Sequence, residues 1–257
     1  MSTEPERPIY RLFGIGINAV SMADTLALVE RAIGGGDRLL IGVVNAAKAV
    51  NMHRDRALRK AMDACDIVLA DSIAVVWALR LLGRKLPERI PGIDLMHAML
   101  RDGQTRGYRV YLLGATEEVS RIVEDRMAEL YPGVVVAGRR NGFYKPDEER
   151  AIVSAIHDAK ADILFVAMSP PKKEIFLAQW REELGVAVCH GVGGAFDVVA
   201  GKTKRAPAMW QRLGMEWLYR VVQEPRRMWR RYLVTNTLFG WMLLGEMTNR
   251  LFGRSCQ

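Results

Sequence analysis

Two polar side chains stand where apolar segments end, and both could take part in acid–base chemistry. Asp71 directly follows the apolar run Ile67–Ala70, and Asn45 follows the run Leu39–Val44. A carboxylate at the position of Asp71 can act as a general base that takes the proton of an acceptor hydroxyl as this hydroxyl attacks an anomeric carbon. The same aspartate could instead cap a helix over Ser72–Leu82, and from spacing alone capping is the favoured role.

A glycine-rich segment, Gly191–Asp197, follows another apolar run and could bind a nucleotide. Gly191, Gly193 and Gly194 would let the backbone approach a phosphate or a ribose closely. Asp197 could bind a hydroxyl or the base of a nucleoside. A tight turn after a strand would explain the same residues without any ligand.

Other motifs of nucleotide or metal chemistry do not match. Gly201–Thr203 resembles the end of a P-loop, but Phe196 occupies the place of that motif's first glycine. Gly14–Gly16 is a lone GxG without the third glycine of a dinucleotide fingerprint. The sequence contains no DxD pair, HExxH, GxSxG or His/Cys cluster with metal-ligand spacing. We therefore expect no metal and no cofactor. If the protein handles a nucleotide diphosphate, fixed cations such as arginines must stabilise the leaving group.

Positive charge is concentrated in one segment of the chain. The formal net charge is +8, and the nine basic residues from Lys202 to Arg231 are opposed only by Glu216 and Glu224. A basic segment indicates an anionic partner, which could be nucleic acid, an anionic lipid or a diphosphate. The alternative is a helix face that is merely solvated.

Cysteine spacing and the N-terminal residues indicate the compartment. Cys65, Cys189 and Cys256 lie far apart without CxxC pairing, which argues against a disulfide framework and a zinc site. The N-terminal residues include glutamates and prolines but no apolar h-region, so no signal peptide is expected. Because no run of about 18 apolar residues occurs, no membrane span is expected either. These features predict a protein of the reducing cytoplasm.

The elements that must position these residues alternate between strands and helices. Apolar runs rich in β-branched residues predict strands at Leu39–Val44, Ile67–Ala70, Val110–Leu113, Val134–Ala137, Ile163–Met168 and Val186–Val192. Stretches between them predict helices at Ala46–Asp63, Ser72–Leu82, Ile93–Arg106, Glu117–Leu130, Asp147–Ala159 and Lys172–Leu184. This alternation predicts an α/β fold with a mostly parallel sheet covered by helices on both faces. In such sheets ligands bind at the carboxyl ends of the strands, where Asn45, Asp71 and Gly191 all fall.

The pattern changes after Gly201. Residues 206–247 lack strand patterns, contain four tryptophans and predict two or three helices, with Pro225 in the first turn of the second. We therefore divide the chain into a catalytic core, residues 1–201, and a basic, aromatic-rich helical appendage, residues 202–257. The run Leu233–Leu244 is too short to span a bilayer but suits a helix lying in the headgroup region.

Seven motifs, in order along the chain, resemble those of the WecG/TagA/CpsF glycosyltransferases. They are VVNAAK (43–48), ADSIAVVW (70–77), RIPGIDLM (89–96), SPPKKE (169–174), GVGGAFD (191–197), KRAP (204–207) and EWLYR (216–220). The resemblance implies a Rossmann-like α/β core that transfers a sugar, with inversion, from a UDP-sugar to an undecaprenyl-diphosphate-linked saccharide. It also implies a C-terminal helical appendage that docks on an anionic membrane surface and completes the site.

The resemblance implies roles for individual residues. Asp71 matches the catalytic base, Asn45 the polar group beside it and Arg89 a site arginine, which reverses the preference for capping. Donor or nucleotide binding would involve Lys173, Glu174, Gly191, Gly193, Gly194 and Asp197. The acceptor diphosphate and the membrane would meet Arg220, Arg227 and Arg230.

Two positions depart from the family pattern. Val43 stands where relatives often carry Thr, and Lys173 stands where they often carry Gln. Both departures concern the identity of the donor rather than the class of reaction. Lys173 could pair with the carboxylate of an acidic sugar, or it could meet the phosphates or solvent. A donor of the UDP-glucuronate or UDP-N-acetylmannosamine type is therefore expected.

These observations predict a metal-independent, inverting UDP-sugar transferase of cell-surface polysaccharide assembly. We expect it to be cytoplasmic and peripheral on the inner face of the plasma membrane, without a nucleic-acid partner, and we leave homo-oligomers open. One rival is a nucleic-acid-binding protein that uses the basic segment, with affinity that falls steeply with salt. The other is a nucleotide-dependent oxidoreductase, which the missing dinucleotide fingerprint disfavours. A shift in thermal stability with UDP, but not with NAD or DNA, would separate the three.

Overall fold

The fold is built on one parallel sheet with helices around it. The computed structural model describes residues 8–212, 214–223 and 225–251, without the side chains of Ala208, Arg212, Arg220, Arg227, Met228, Arg231 and Leu251. The strands are β1 (Ile9–Leu12), β2 (Ile15–Asn18), β3 (Leu39–Val44), β4 (Ile67–Ala70), β5 (Arg109–Gly114), β6 (Val135–Arg140), β7 (Ile163–Ala167) and β8 (Val188–Gly191). The helices are α1 (Met22–Gly35), α2 (Ala46–Arg54), α3 (Arg56–Asp63), α4 (Ile73–Leu81), α5 (Gly92–Arg106), α6 (Glu117–Leu130), α7 (Glu149–Asp158), α8 (Lys172–Leu184), α9 (Ala195–Val199), α10 (Ala208–Arg212), α11 (Glu216–Gln223) and α12 (Pro225–Leu251).

The central sheet places the carboxyl ends of its strands at one edge. Within the described residues its order is β4-β3-β8-β7-β5-β6, and each neighbouring pair is parallel. Strands β3 and β7 are buried along their whole length, as their continuous apolar runs predict. Helices α1, α5 and α6 pack on one face, and α2, α3, α7 and α8 pack on the other. The predicted α/β fold with helices on both faces is confirmed.

Some predicted elements have different boundaries in the structure. The helix predicted over Ala46–Asp63 is two helices, because the carboxylate of Asp55 accepts hydrogen bonds from the N–H groups of Ala57 and Leu58 at 2.9 and 3.0 Å. An aspartate in this position caps the second helix, α3. The helix predicted at Asp147–Ala159 opens with a separate 3₁₀ turn before α7 begins.

An N-terminal hairpin has no counterpart among the sequence predictions. β1 and β2 are antiparallel and are joined by Phe13 and Gly14, whose φ angles are 53° and 72°. Two consecutive left-handed residues form the tight turn that matches the twist of a hairpin. The pattern Gly14–Gly16 is therefore part of this hairpin. Helix α1 follows, and Ser21 and Asp24 form a capping box at its start.

The second half of α12 packs against the core. Phe239 is 6% exposed and contacts the ring of Phe13 edge-on, with the two ring centroids 5.2 Å apart. Glu246 Oε2 accepts a hydrogen bond from the Phe13 N–H at 2.7 Å, and the Arg250 guanidinium donates to the carbonyl oxygen of Leu82. The appendage therefore shares a hydrophobic cluster with the core, although the two differ in composition.

This packing can be tested by truncating one ring in α12. Phe239→Ala is expected to lower the free energy of unfolding by about 3–5 kcal/mol, the usual cost of truncating a buried phenylalanine. The matched control is Trp241→Ala, because that ring is 68% exposed. The control is expected to change stability by no more than about 0.5 kcal/mol. Urea unfolding measures both, and equally small effects would contradict the role of α12 in the core.

Candidate active site

Asp71 lies at the carboxyl edge of the sheet beside Asn45. Val44 pairs with Ala70 in the register of β3 and β4, so the residues that follow them are neighbours. Asn45 Nδ2 donates a hydrogen bond to Asp71 Oδ2 at 3.2 Å, and the Gly92 N–H donates to Asp71 Oδ1 at 3.1 Å. Because Gly92 is the first residue of α5, the carboxylate lies at the positive end of that helix. Each carboxylate oxygen is therefore oriented by one donor.

Asp71 does not cap the helix that follows it. The N-cap residue of α4 is Ser72, whose side chain makes no capping hydrogen bond. By contrast, Asn45 caps α2, because its Oδ1 accepts a hydrogen bond from the Lys48 N–H at 3.0 Å. The alternative role of Asp71 as the cap of α4 is therefore wrong. Its carboxylate is oriented instead by residues far away in the sequence.

A cavity of about 400 Å³ opens beside Asp71. Its wall includes side chains from the core and from the appendage, among them Asn45, Asp71, Arg89, Arg205, Glu216 and Trp217. The cavity therefore combines a carboxylate and an amide from two strand ends with cationic and aromatic groups. A pocket with these few converging polar groups is the usual form of a small-molecule site.

Arg89 connects the core to the appendage in this wall. Its Nη1 donates to Glu216 Oε2 at 2.9 Å and lies 3.5 Å from the carbonyl oxygen of Asp71. Its Nη2 donates to the carbonyl oxygen of Gln211 at 3.3 Å. The structure thus brings together Asp71, Asn45 and Arg89, the three residues predicted to be catalytic.

The glycine-rich loop lies at the same edge of the sheet, after β8. Gly193 has a φ of 55°, a conformation that favours glycine. A Cβ atom added to Gly193 or Gly194 would meet no atom within 4 Å, so a ligand has room to approach the backbone there. Gly191 is covered by Lys173, whose side-chain carbons lie 3.1 Å from the position of an added Cβ. Asp197 lies in α9, half-exposed and outside the lining of the 400 Å³ cavity.

Lys173 and Glu174 form a buried ion cluster with Lys48. Glu174 Oε1 lies 2.7 Å from Lys48 Nζ and 2.5 Å from Lys173 Nζ. All three side chains are at most 6% exposed, and none of them lines the 400 Å³ cavity. The Lys173 ammonium group, for which an acidic sugar, the phosphates or solvent were the alternatives, is therefore already paired inside the protein. Sequence reasoning missed Lys48, although it lies three residues after Asn45 on the first turn of α2.

The cluster changes the pKa of two of its members. Burial and the nearby ammonium group of Lys48 lower the pKa of Lys173 to about 8. Burial acts to raise the pKa of Glu174, but Lys48 and Lys173 outweigh this effect and lower it below the usual value. The Asp71 carboxylate is close enough to favour the charged form of Lys173. The charge state of the buried Lys173 therefore depends in part on the Asp71 carboxylate of the candidate site.

His190 makes a hydrogen bond to the first residue of α5. The ring is fully buried, and its Nε2 lies 3.0 Å from the carbonyl oxygen of Gly92. Burial lowers the pKa of His190 to about 4, so the ring is neutral at pH 7. Because a carbonyl oxygen can only accept, Nε2 carries the proton of this hydrogen bond. His190 thus holds Gly92, the residue whose N–H orients Asp71.

Among the described residues, the thiols and the other potential metal ligands do not form a cluster. In the part of the chain that the structure describes, no three His, Cys, Asp or Glu side chains converge in a way that could hold a metal ion. Cys65 and Cys189 are free, and burial raises the pKa of each to about 12. Both groups are therefore neutral thiols at physiological pH.

The appendage arginines are divided between two helices. Arg220 lies in α11, whereas Arg227 and Arg230 lie in α12, and the side chains of Arg220 and Arg227 are outside the described residues. Arg230 is exposed, with its guanidinium 5.4 Å from the ring centroid of Trp229, and it does not line the cavity. None of the described helices is both long enough and apolar enough to cross a membrane.

The parallel sheet and the polar cavity at its carboxyl edge define an α/β enzyme of the Rossmann-like type. The model of the glycosyl transferase WecG/TagA/CpsF family matches residues 10–252, and the chain belongs to this family. The resemblance seen in seven sequence motifs is thereby confirmed. The protein is a glycosyltransferase of cell-surface polysaccharide synthesis, the first of the three functions considered from the sequence.

The buried ion cluster predicts how stability depends on pH. Between pH 8 and about 10.4, the unfolded chain keeps the proton of Lys173 while the folded protein releases it. The free energy of unfolding of the wild type, relative to Lys173→Gln, should therefore rise with pH across this interval and stay level below it. The expected rise is on the order of 3 kcal/mol, because each pKa unit between the folded and unfolded states corresponds to about 1.4 kcal/mol.

Urea unfolding of both proteins at several pH values measures this difference. Lys172→Gln, which removes the exposed ammonium group one residue earlier, is the control for the loss of one positive charge. A difference between wild type and Lys173→Gln that does not change above pH 8 would contradict the buried, desolvated state of Lys173.

Proposed function

We propose that this glycosyltransferase moves a sugar from a UDP-sugar to a saccharide linked to a lipid diphosphate, with Asp71 as the general base. The observation that carries the proposal is the Asp71 carboxylate, which Asn45 and Gly92 orient at the wall of a cavity of about 400 Å³. Family membership supports the class of reaction. The hydrogen bonds to Asp71 leave a lone pair on each oxygen that can accept a proton.

The proposed reaction is a single displacement at the anomeric carbon. Asp71 takes the proton of the acceptor hydroxyl while the hydroxyl oxygen attacks the anomeric carbon from the face opposite the UDP. The bond between the anomeric carbon and the phosphate oxygen breaks, and its electron pair leaves with UDP. Because attack and departure occur on opposite faces, the configuration at this carbon is inverted. Arg89 beside the site can stabilise the charge that develops on the diphosphate.

The glycine-rich loop is the proposed place of the nucleotide. It lies at the carboxyl edge, where ligands of parallel sheets bind, and Gly193 and Gly194 leave open space beside the backbone. Asp197 follows in α9 and is half-exposed, so its carboxylate is available to a nucleoside hydroxyl. In this arrangement the donor would enter beside β8. The acceptor would enter through the cavity that residues of the appendage help to line.

The surface of α12 supports a peripheral position on a membrane. Trp229, Leu233, Trp241 and Leu244 are each between 47% and 68% exposed and are spaced so that they share one side of the helix. The helix begins with the basic residues of segment 226–231. An apolar stripe beside basic residues suits a helix that lies at an anionic bilayer surface. This position would bring the cavity close to an acceptor held in the membrane.

The role of Asp71 can be tested with Asp71→Asn. The amide is nearly isosteric and can still accept hydrogen bonds, but it cannot take a proton. We expect the variant to fold and bind UDP while turnover falls by roughly 100-fold or more. Asp63→Asn, which alters an exposed carboxylate away from the cavity, is the control. Near-normal turnover of Asp71→Asn under single-turnover conditions would place the base elsewhere.

The membrane position predicts a difference between two kinds of acceptor. Replacing Leu233 and Trp241 together by Ser should weaken binding to anionic vesicles by tenfold or more, since two exposed apolar side chains are lost from the stripe. Transfer to a vesicle-embedded acceptor should fall with it, whereas transfer to a water-soluble, short-chain acceptor should not. The control is Leu130→Ser, which removes a 50% exposed side chain from α6 on the opposite face of the sheet. Equal losses with both acceptors would contradict a docking role.

A further inference from the structure

Three charged side chains meet in the wall of the cavity where the appendage joins the core. Arg89 precedes α5, Arg205 lies between α9 and α10, and Glu216 is the first residue of α11. Glu216 Oε2 accepts a hydrogen bond from Arg89 Nη1 at 2.9 Å, and Glu216 Oε1 lies 3.7 Å from Arg205 Nε. One carboxylate thus lies between two guanidinium groups, and all three residues line the cavity.

The carboxylate does not satisfy both guanidinium groups. Arg205 Nη2 donates to Asp94 Oδ1 of α5 at 2.5 Å, which fixes one end of its guanidinium. Arg205 Nε is buried and has no hydrogen-bond acceptor among the described residues, because 3.7 Å to Glu216 is too long for a hydrogen bond. A buried donor without an acceptor is costly, so this atom indicates that an acceptor is missing.

A diphosphate can supply the hydrogen-bond acceptors that Arg89 and Arg205 do not fully have in the free protein. It offers more acceptor oxygens and more negative charge than one carboxylate, and guanidinium groups bind phosphate through pairs of parallel hydrogen bonds. Arg205 is also pre-positioned by Asp94, so little side-chain freedom is lost when an anion binds. The position that the Glu216 carboxylate occupies between the two arginines is thus suited to binding an anion in the same cavity as Asp71.

We propose that Arg89 and Arg205 form a diphosphate-binding subsite and that Glu216 occupies it in the free protein. The inference rests on the proposed function for its ligand, which is the diphosphate of either the UDP-sugar or the lipid-linked acceptor. When the diphosphate enters, its oxygens replace the Glu216 carboxylate on Arg89 and provide the missing acceptor for Arg205 Nε. Because Glu216 begins α11, this exchange also releases one ion pair that fastens the appendage to the core.

The experiment measures the affinity of the full chain for inorganic diphosphate by calorimetric titration. Glu216→Gln keeps the shape of the side chain but removes its charge, so diphosphate should bind roughly tenfold more tightly, the scale of one charge-assisted hydrogen bond. Arg205→Gln should weaken binding by a similar factor or more. Arg205→Lys should restore only part of it, because an ammonium group lacks the planar fork.

Uridine is the control ligand, because it has no phosphate. Its affinity should be the same in wild type, Glu216→Gln and Arg205→Gln, whatever the loss of an ion pair does to the melting temperature. A purely structural ion pair would instead leave diphosphate affinity unchanged or weaker in Glu216→Gln. Either of these results for Glu216→Gln would overturn the proposal.

Two further ligands identify which substrate supplies the diphosphate. A subsite for the donor predicts that the affinity for UDP responds to both variants, whereas a subsite for the acceptor predicts this response for a short prenyl diphosphate.

A sugar-transfer assay distinguishes failure of the proposed subsite from failure of the proposed function. If the affinity for inorganic diphosphate responds but no sugar is transferred, the subsite stands and the proposed function falls. If sugar is transferred but neither variant changes the affinity for any diphosphate, the subsite falls.

Discussion

The carboxylate of Asp71 is the point at which the separate parts of the site are joined. It receives a hydrogen bond from Asn45 at the end of β3 and another from Gly92 at the start of α5. Gly92 is in turn held through its carbonyl oxygen by His190 of β8. A series of hydrogen bonds therefore runs across three neighbouring strands at the carboxyl edge. The parallel pairing of β4, β3 and β8 makes this series possible, because it brings all three strand ends to the same edge.

Part of this arrangement could be predicted from the sequence, because it depends on local patterns. The continuous apolar runs of β3 and β4 specify buried parallel strands, so Asn45 and Asp71 could be placed side by side at the sheet edge. The glycine-rich loop after β8 and the helices of the appendage follow from equally local patterns. The family resemblance then supplied roles that spacing alone assigned differently, above all for Asp71.

The remaining features depend on contacts between residues far apart in the chain. Nothing near Lys48 or Glu174 in the sequence shows that their side chains are buried together, because lysine and glutamate on helices usually face solvent. The hairpin of β1 and β2 was missed because its strands are short and its turn residues, Phe13 and Gly14, match no common turn dipeptide. The contact between Arg89 and Glu216 joins two motifs that are 127 residues apart, and only the folded chain shows it.

The contact of Phe13 with α12 has a consequence for how the protein is made. The Phe13 N–H and the carboxylate that accepts its hydrogen bond are 233 residues apart, and Phe239 completes the same cluster. During translation the N-terminal hairpin leaves the ribosome long before α12 is synthesised. The part of this cluster that Phe239 covers therefore stays exposed until α12 is made, and exposed apolar surface attracts chaperones and self-associates. The longer the rest of the chain takes to be synthesised, the longer this surface can bind a chaperone or a second chain.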